Sequence, residues 1–165
     1  MPLTPAITDL EQLKDRPALA RLLAWNATAV TEARFDRDEL TIYIDRPFIR
    51  EAVARLRDDQ ELRFNFLADV TCVDWHPGEP RFEVVYELLS MARKERLRLK
   101  VRLPGADPKL DSVTSVWPSA NWFEREVFDL FGIHFEGHPD LRRIMMPENW
   151  KGHPLRKDYP VEGYR

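Results

Sequence analysis

Apolar and polar residues alternate through Leu40-Thr41-Ile42-Tyr43-Ile44, through Phe82, Val84, Tyr86 and Leu88, and through Leu97, Leu99, Val101 and Leu103. A period of two is that of a strand with one buried face. Strands are expected over about Thr28–Phe35, Leu40–Asp45, Phe66–Trp75, Phe82–Leu89 and 97–103. Asp36-Arg37-Asp38 and His76-Pro77-Gly78-Glu79-Pro80 supply turns that make hairpins of the flanking runs. In the last strand the positions between the apolar ones are Arg96, Arg98, Lys100 and Arg102, giving one wholly basic face.

Helical spacing appears in three places. Thr8 and Glu11 have capping-box spacing before a run to Trp25, which Pro17 divides. Ile49, Val53 and Leu56 form a stripe after Pro47. Asn121 and Glu124 have capping-box spacing again, Phe123, Val127, Leu130 and Phe131 share a face, and Gly132 suits the position after the helix end. Val113–Trp117 reads as a short extended lead-in to that helix. The order is α-β-β-α-β-β-β-α. Hairpins dominate over alternating βαβ units, which predicts an α+β fold with helices packed on a largely antiparallel sheet.

After Gly132 the pattern stops. Prolines recur at 139, 147, 154 and 160, leaving no room for an element of ordinary length. The chain is therefore expected to consist of one α+β domain over 1–132 and an extended, partner-binding tail over 133–165. Leu141, Ile144, Met145, Met146, Trp150 and Leu155 argue against pure disorder of that tail, since they need a surface to bury against. Its mixture of aromatic, Met and basic residues is of the kind enriched in interfaces.

Composition narrows the function classes. With 165 residues and 44% hydrophobic content the chain can bury a core without a metal or disulfide. Its net charge of −3 gives no overall positive field for nucleic acid. The single cysteine, Cys72, excludes an internal disulfide and an all-cysteine iron–sulfur site, and its apolar surroundings mark it as a core residue. No stretch has the ~20 apolar residues of a membrane helix, and no basic-then-apolar signal pattern opens the chain. Neither G-x-G-x-x-G nor G-x-x-x-x-G-K-[ST] occurs, so no dinucleotide or nucleotide site is expected.

Three constellations remain. His134, His138, Asp140 and His153 suggest a metal site by count, but Gly137 and Pro139 oppose the helix that would align the first two. Hydrogen bonding within the tail or to a partner is the expected role. Glu126 with Asp129, and Arg125 with Asp129, have the spacing of a salt-bridge network on a helix face rather than of acid–base catalysis. The basic strand fits a solvated face first, an acidic protein partner second and nucleic acid last.

Glu124-Arg125-Glu126-x-x-Asp129-Leu130-Phe131-Gly132-Ile133, followed by His138-Pro139-Asp140-Leu141-Arg142-Arg143-Ile144, closely resembles the signature of the C-type, 30 kDa-type subunit of respiratory complex I. Residues 113–122 and the run from Pro147 and Glu148 through Trp150, Gly152, His153, Pro154, Leu155, Arg156, Lys157, Asp158 and Tyr159 to Pro160 resemble the same family. The resemblance implies a subunit of the hydrophilic arm of NADH:quinone oxidoreductase, on the cytoplasmic or matrix side of the membrane. It implies no flavin, iron–sulfur cluster or catalytic residue in this chain, within a complex that uses FMN, iron–sulfur clusters, NADH and quinone. It implies docking onto the quinone-site, D-type subunit, near the iron–sulfur subunits. The chain ends at Arg165, which points to an unfused subunit. Related plastid and cyanobacterial-type complexes, coenzyme F420-type dehydrogenases and membrane-bound hydrogenases use the same module. The tail's Arg142, Arg143, Arg156 and Lys157 are expected to meet carboxylates, either a partner's or Glu124, Glu126 and Asp129 of this chain.

Overall fold

The computed structural model describes residues 5–164. Two short helices, α1 (Leu10–Leu13) and α2 (Pro17–Trp25), precede the hairpin β1 (Val30–Asp36) and β2 (Glu39–Ile44). Helix α3 (Ile49–Asp58) follows a single 3₁₀ turn at Arg46–Phe48. Strands β3 (Phe66–Asp74), β4 (Phe82–Ser90) and β5 (Glu95–Leu103) form a meander. Then come β6 (Lys109–Asp111), α4 (Ala120–Phe131) and β7 (His134–Glu136). After β7 the described residues hold no further regular element.

The five-stranded sheet has the order β1-β2-β5-β4-β3. Only β2 and β5 run parallel; the other pairs are antiparallel. The α+β expectation holds, with α3 and the β3–β4 hairpin inserted between the two parallel neighbours. A separate parallel pair joins β6 to β7. Register places Ile42, Leu99, Tyr86 and Val70 in one row across four strands, all buried. Against this inner face pack Leu19 and Leu22 of α2, Val53 and Leu56 of α3, and Val127 and Phe131 of α4. Cys72 lies in the same layer, and burial pushes its thiol up to about 12.

The outer face differs from a simple solvated one. Arg98 meets Glu87 and Glu39, Lys100 meets Glu83, and Arg102 meets Glu32. The basic row of β5 is thus largely neutralised by carboxylates on its neighbours in the sheet. Arg96 alone of the four has no such partner among the described residues.

Three local expectations are corrected. Asp9, not Thr8, caps α1 by accepting from the Glu11 N–H. Residues 114–116 turn rather than extend, with the Val116 and Trp117 N–H groups donating to the Val113 carbonyl. Asn121 and Glu124 form no capping box: Ser119 precedes α4 without a side-chain cap. The Glu124 carboxylate is drawn inward instead, to accept from the Val113 N–H at 2.7 Å and the Ser112 hydroxyl at 2.6 Å.

Candidate functional site

Helix α4 buries three charged side chains, Glu124, Arg125 and Asp129, beside the apolar Ala120, Val127 and Phe131. Each must find partners, because an unpaired buried charge is costly. Desolvation lifts the Glu124 carboxyl to about 7 despite the hydrogen bonds from Ser112 and Val113. His138 stands 4.0 Å from it. The Asp140 N–H donates to His138 Nδ1, so the proton sits on Nε2 and donates to the Asn121 carbonyl at 3.2 Å. Burial lowers the His138 pKa, in keeping with this neutral ring.

Asp129 organises the tail. Its Oδ1 accepts from Arg143 at 2.6 Å, and its Oδ2 accepts from three consecutive N–H groups, those of Ile144, Met145 and Met146. Burial alone would raise this carboxyl. The Met146 N–H, the Arg143 guanidinium and the other two N–H groups outweigh it and hold the pKa below the usual range. The expected Arg125–Asp129 network is absent because Arg125 turns away. Its guanidinium donates to the Arg142 and Arg143 carbonyls and lies 5.2 Å from the centroid of the Trp122 ring.

The tail also closes the end of α4. The last carbonyls of a helix have no partner within it. Here Asp129 O accepts from His153 Nδ1, Leu130 O from the Leu155 N–H, and Phe131 O from Arg156 Nε. Gly132 supplies the expected left-handed residue at φ 74°, and a Cβ there would lie 2.5 Å from Arg156 and 2.6 Å from His153. Arg143 ties the next loop by donating to the carbonyls of Trp150 and Gly152. Cations at a helix C-terminus also complement its dipole.

A second anchor lies at the end of the β3–β4 hairpin. Buried Asp74 takes a bidentate pair from Arg81 and further N–H groups from His76 and Lys157. Arg81 spans onward to Asp158. Burial opposes the charge of Asp74, but the Arg81 pair and the two N–H groups hold its carboxyl well below the usual range. Asp74 and Arg81 do not stand out in the sequence. The available signal is an acid closing an apolar strand and an arginine opening the next across a proline-rich turn.

Of the expected site residues, Glu124, Arg125, Asp129, His138, Arg143, His153, Arg156 and Asp158 join these two networks, and Lys157 does so through its backbone. Arg142 pairs with Asp140 at the surface. Tyr159 bonds the Lys151 carbonyl and stacks edge-on with Tyr164. Glu126 points to solvent. Arg156 meets carbonyls, not the expected carboxylate, and the Lys157 side chain is exposed. Among the described residues no group of three His, Cys, Asp or Glu converges for a metal, and His134 is exposed while His138 and His153 are bound to α4.

Four large apolar side chains are left on the outside of this assembly, among exposed charged ones. Trp122 is 61% exposed, Met145 62%, Leu155 51% and Trp150 39%. No helix among the described residues is long and apolar enough to cross a membrane.

Residues 42–165 match the family described as "Respiratory-chain NADH dehydrogenase, 30 Kd subunit". The chain is 48% identical to the C-type subunit of the NADH-quinone oxidoreductase of Citrifermentans bemidjiense, over 88% of its length and 89% of that protein. It is 48% identical to the same subunit of Roseiflexus sp., over 90% of its length and 86% of that protein. Among solved structures it resembles the trypsin-resistant fragment (1-134) of Nqo5, with TM-score 0.64, 38% identity, and coverage of 75% of this chain and 99% of that one. It also resembles a chain of an archaeal membrane-bound sulfane sulfur reductase, with TM-score 0.73, 25% identity, and coverage of 88% and 85%.

Proposed function

Because this chain belongs to the family of the 30 kDa subunit of respiratory-chain NADH dehydrogenase, we propose that within complex I it works by binding and not by catalysis. It carries no flavin, cluster or catalytic residue. Its folded tail docks onto the quinone-site, D-type subunit beside the iron–sulfur subunits, on the cytoplasmic side of the membrane. The parent complex supplies FMN, iron–sulfur clusters, NADH and quinone.

One observation carries this reading. Arg125, Asp129, His138, Arg143, His153, Arg156 and Asp158 of the signature are consumed in tying the tail to α4 and to the hairpin, while Trp122, Met145, Trp150 and Leu155 are left outside. A surface held in place by buried polar bonds yet lined with exposed large apolar groups is the anatomy of an interface. The equivalent subunit of a related complex is a second reading, favoured by the likeness to the sulfane sulfur reductase chain. The higher identity to the NADH-quinone oxidoreductase relatives favours the first.

The test is purification of the whole complex with Trp122→Ala, Met145→Asp and Trp150→Ala combined in this chain. These side chains are exposed, so the chain should fold and yet be lost from the complex. Recovery at full stoichiometry with unchanged NADH:quinone activity would overturn the docking role of the tail.

A further inference from the structure

The hairpin anchor of the tail, Asp74 with Arg81, lies where β3 ends and β4 begins. Roughly 30 Å away, at the other end of the nine-residue β4, is an open cleft. It is formed by the α1–α2 corner, the β1–β2 turn and the β4–β5 turn, and its volume is about 770 Å³. Arg16, Arg37, Lys94 and Arg96 line it, and among the described residues none of them has an ion pair. Nearby, Arg93 is paired with Glu95, and Arg98 with Glu39 and Glu87. Two of the cleft's carboxylates are thereby occupied. Asp38 is left as the only unpaired carboxylate on the cleft wall among the described residues, against four unpaired cations.

The cleft also has an apolar floor. Phe35, Pro17 and Leu40 line it, and the Arg16 guanidinium sits 3.7 Å above the Phe35 ring. A free phosphate would use only the cations. A peptide carrying Asp and Glu would use both, laying its carboxylates on the cations and its aliphatic stems on the exposed Pro17 and half-buried Phe35, while Asp38 accepts a backbone N–H. We propose that this cleft receives an acidic segment of a second subunit of the complex. The chain would then bridge two neighbours from opposite ends of its sheet. The proposal rests on membership of a multi-subunit complex but not on the docking role of the tail.

Lys94 makes the idea testable in the intact complex. Zero-length carbodiimide coupling joins an amine to a carboxylate in direct contact, and peptide mass spectrometry reads the product. The exposed Lys14 amine, 2.8 Å from the exposed Glu11 carboxylate, is an internal control. The expected result is Lys94 joined to an Asp or Glu of another subunit, and at least a tenfold loss of that link in Arg37→Ala/Arg96→Ala. If Lys94 couples only to carboxylates of its own chain, or stays uncoupled while the Lys14–Glu11 link forms, the proposal is wrong.

The isolated full chain gives a second readout. A fluorescent deca-glutamate peptide should bind it, and Arg37→Ala/Arg96→Ala should weaken that binding about tenfold, with the loss shrinking at high salt. Equal binding by the variant would overturn the cleft as the site. Equal or tighter binding of tripolyphosphate or of phosphatidylglycerol vesicles would overturn the peptide as its occupant. The Lys94 link reports on this cleft alone, whereas recovery of the tail variants reports on the tail.

Discussion

The Arg143 guanidinium approaches the Asp129 carboxylate to 2.6 Å, and the two lie on different segments, one on α4 and one on the tail that follows it. Asp129 also receives three backbone N–H groups of that tail, so a single buried carboxylate fixes the path of residues 143–146. Replacing it by Ala leaves Arg143 and those donors without their acceptor. The expected cost is about 3–5 kcal/mol, read by urea denaturation of the full chain. Limited proteolysis should find new cleavage around 143–152. A loss below ~1 kcal/mol would show that the tail is held elsewhere.

Glu124 predicts a pH effect with a definite sign. Its folded pKa is raised from the ordinary 4.5 to about 7, chiefly by burial. The stability it contributes is full below about 4.5 and is lost as pH rises through about 7. Gln keeps the shape without the charge. Relative to wild type, Glu124→Gln should therefore gain up to about 3 kcal/mol between pH 5 and pH 8. Parallel wild-type and variant stability curves over that window would contradict the assignment.

Asp74 and Asp129 act in the opposite direction. Their folded pKa values are depressed, so their contribution is present above the ordinary carboxylate range and disappears only as pH falls through the folded values. Arg81→Lys should abolish the bidentate pair with Asp74 and the link to Asp158, since an ammonium cannot reproduce the fork. Acid unfolding should then begin at a higher pH than in wild type. Circular dichroism across an acid titration would show whether it does.

Gly132 and Gly137 both have positive φ, 74° and 78°, but different surroundings. Nothing lies within 4 Å of a Cβ at Gly137, so Gly137→Ala should lose about 1–2 kcal/mol from the backbone alone. Gly132→Ala should lose more, because it also displaces Arg156 and His153 from the end of α4. Equal melting temperatures for the two variants would rule out the second contribution.

Much of this architecture is legible in the sequence because it is local. The Phe82–Leu88 and Leu97–Leu103 alternations locate β4 and β5 and their shared buried face, and Gly132 marks the end of α4. What stays hidden depends on residues far apart in the chain. The parallel neighbours β2 and β5 are separated by a helix and a hairpin, and no local pattern encodes that adjacency. The basic row of β5 looks free because the glutamates that neutralise it come from β1, β2 and β4. Arg125 and Asp129 have the spacing of a surface pair, yet tail carbonyls and N–H groups 15 to 18 positions on are the better partners once α4 is buried. Thr8 and Asn121 have cap spacing, but Asp9 takes the first cap and Glu124 turns inward from the second.

The closure of α4 by His153, Leu155 and Arg156 has a consequence for association. Ordering a residue of free backbone costs about 1–2 kcal/mol. A long irregular segment that became ordered only on contact would give up that entropy at the moment of binding. Here the hydrogen bonds from residues 142–158 to the body of the chain take up that loss during folding. A partner docking on this surface, as proposed above, would meet a preorganised shape, and more of its contact energy would go into affinity.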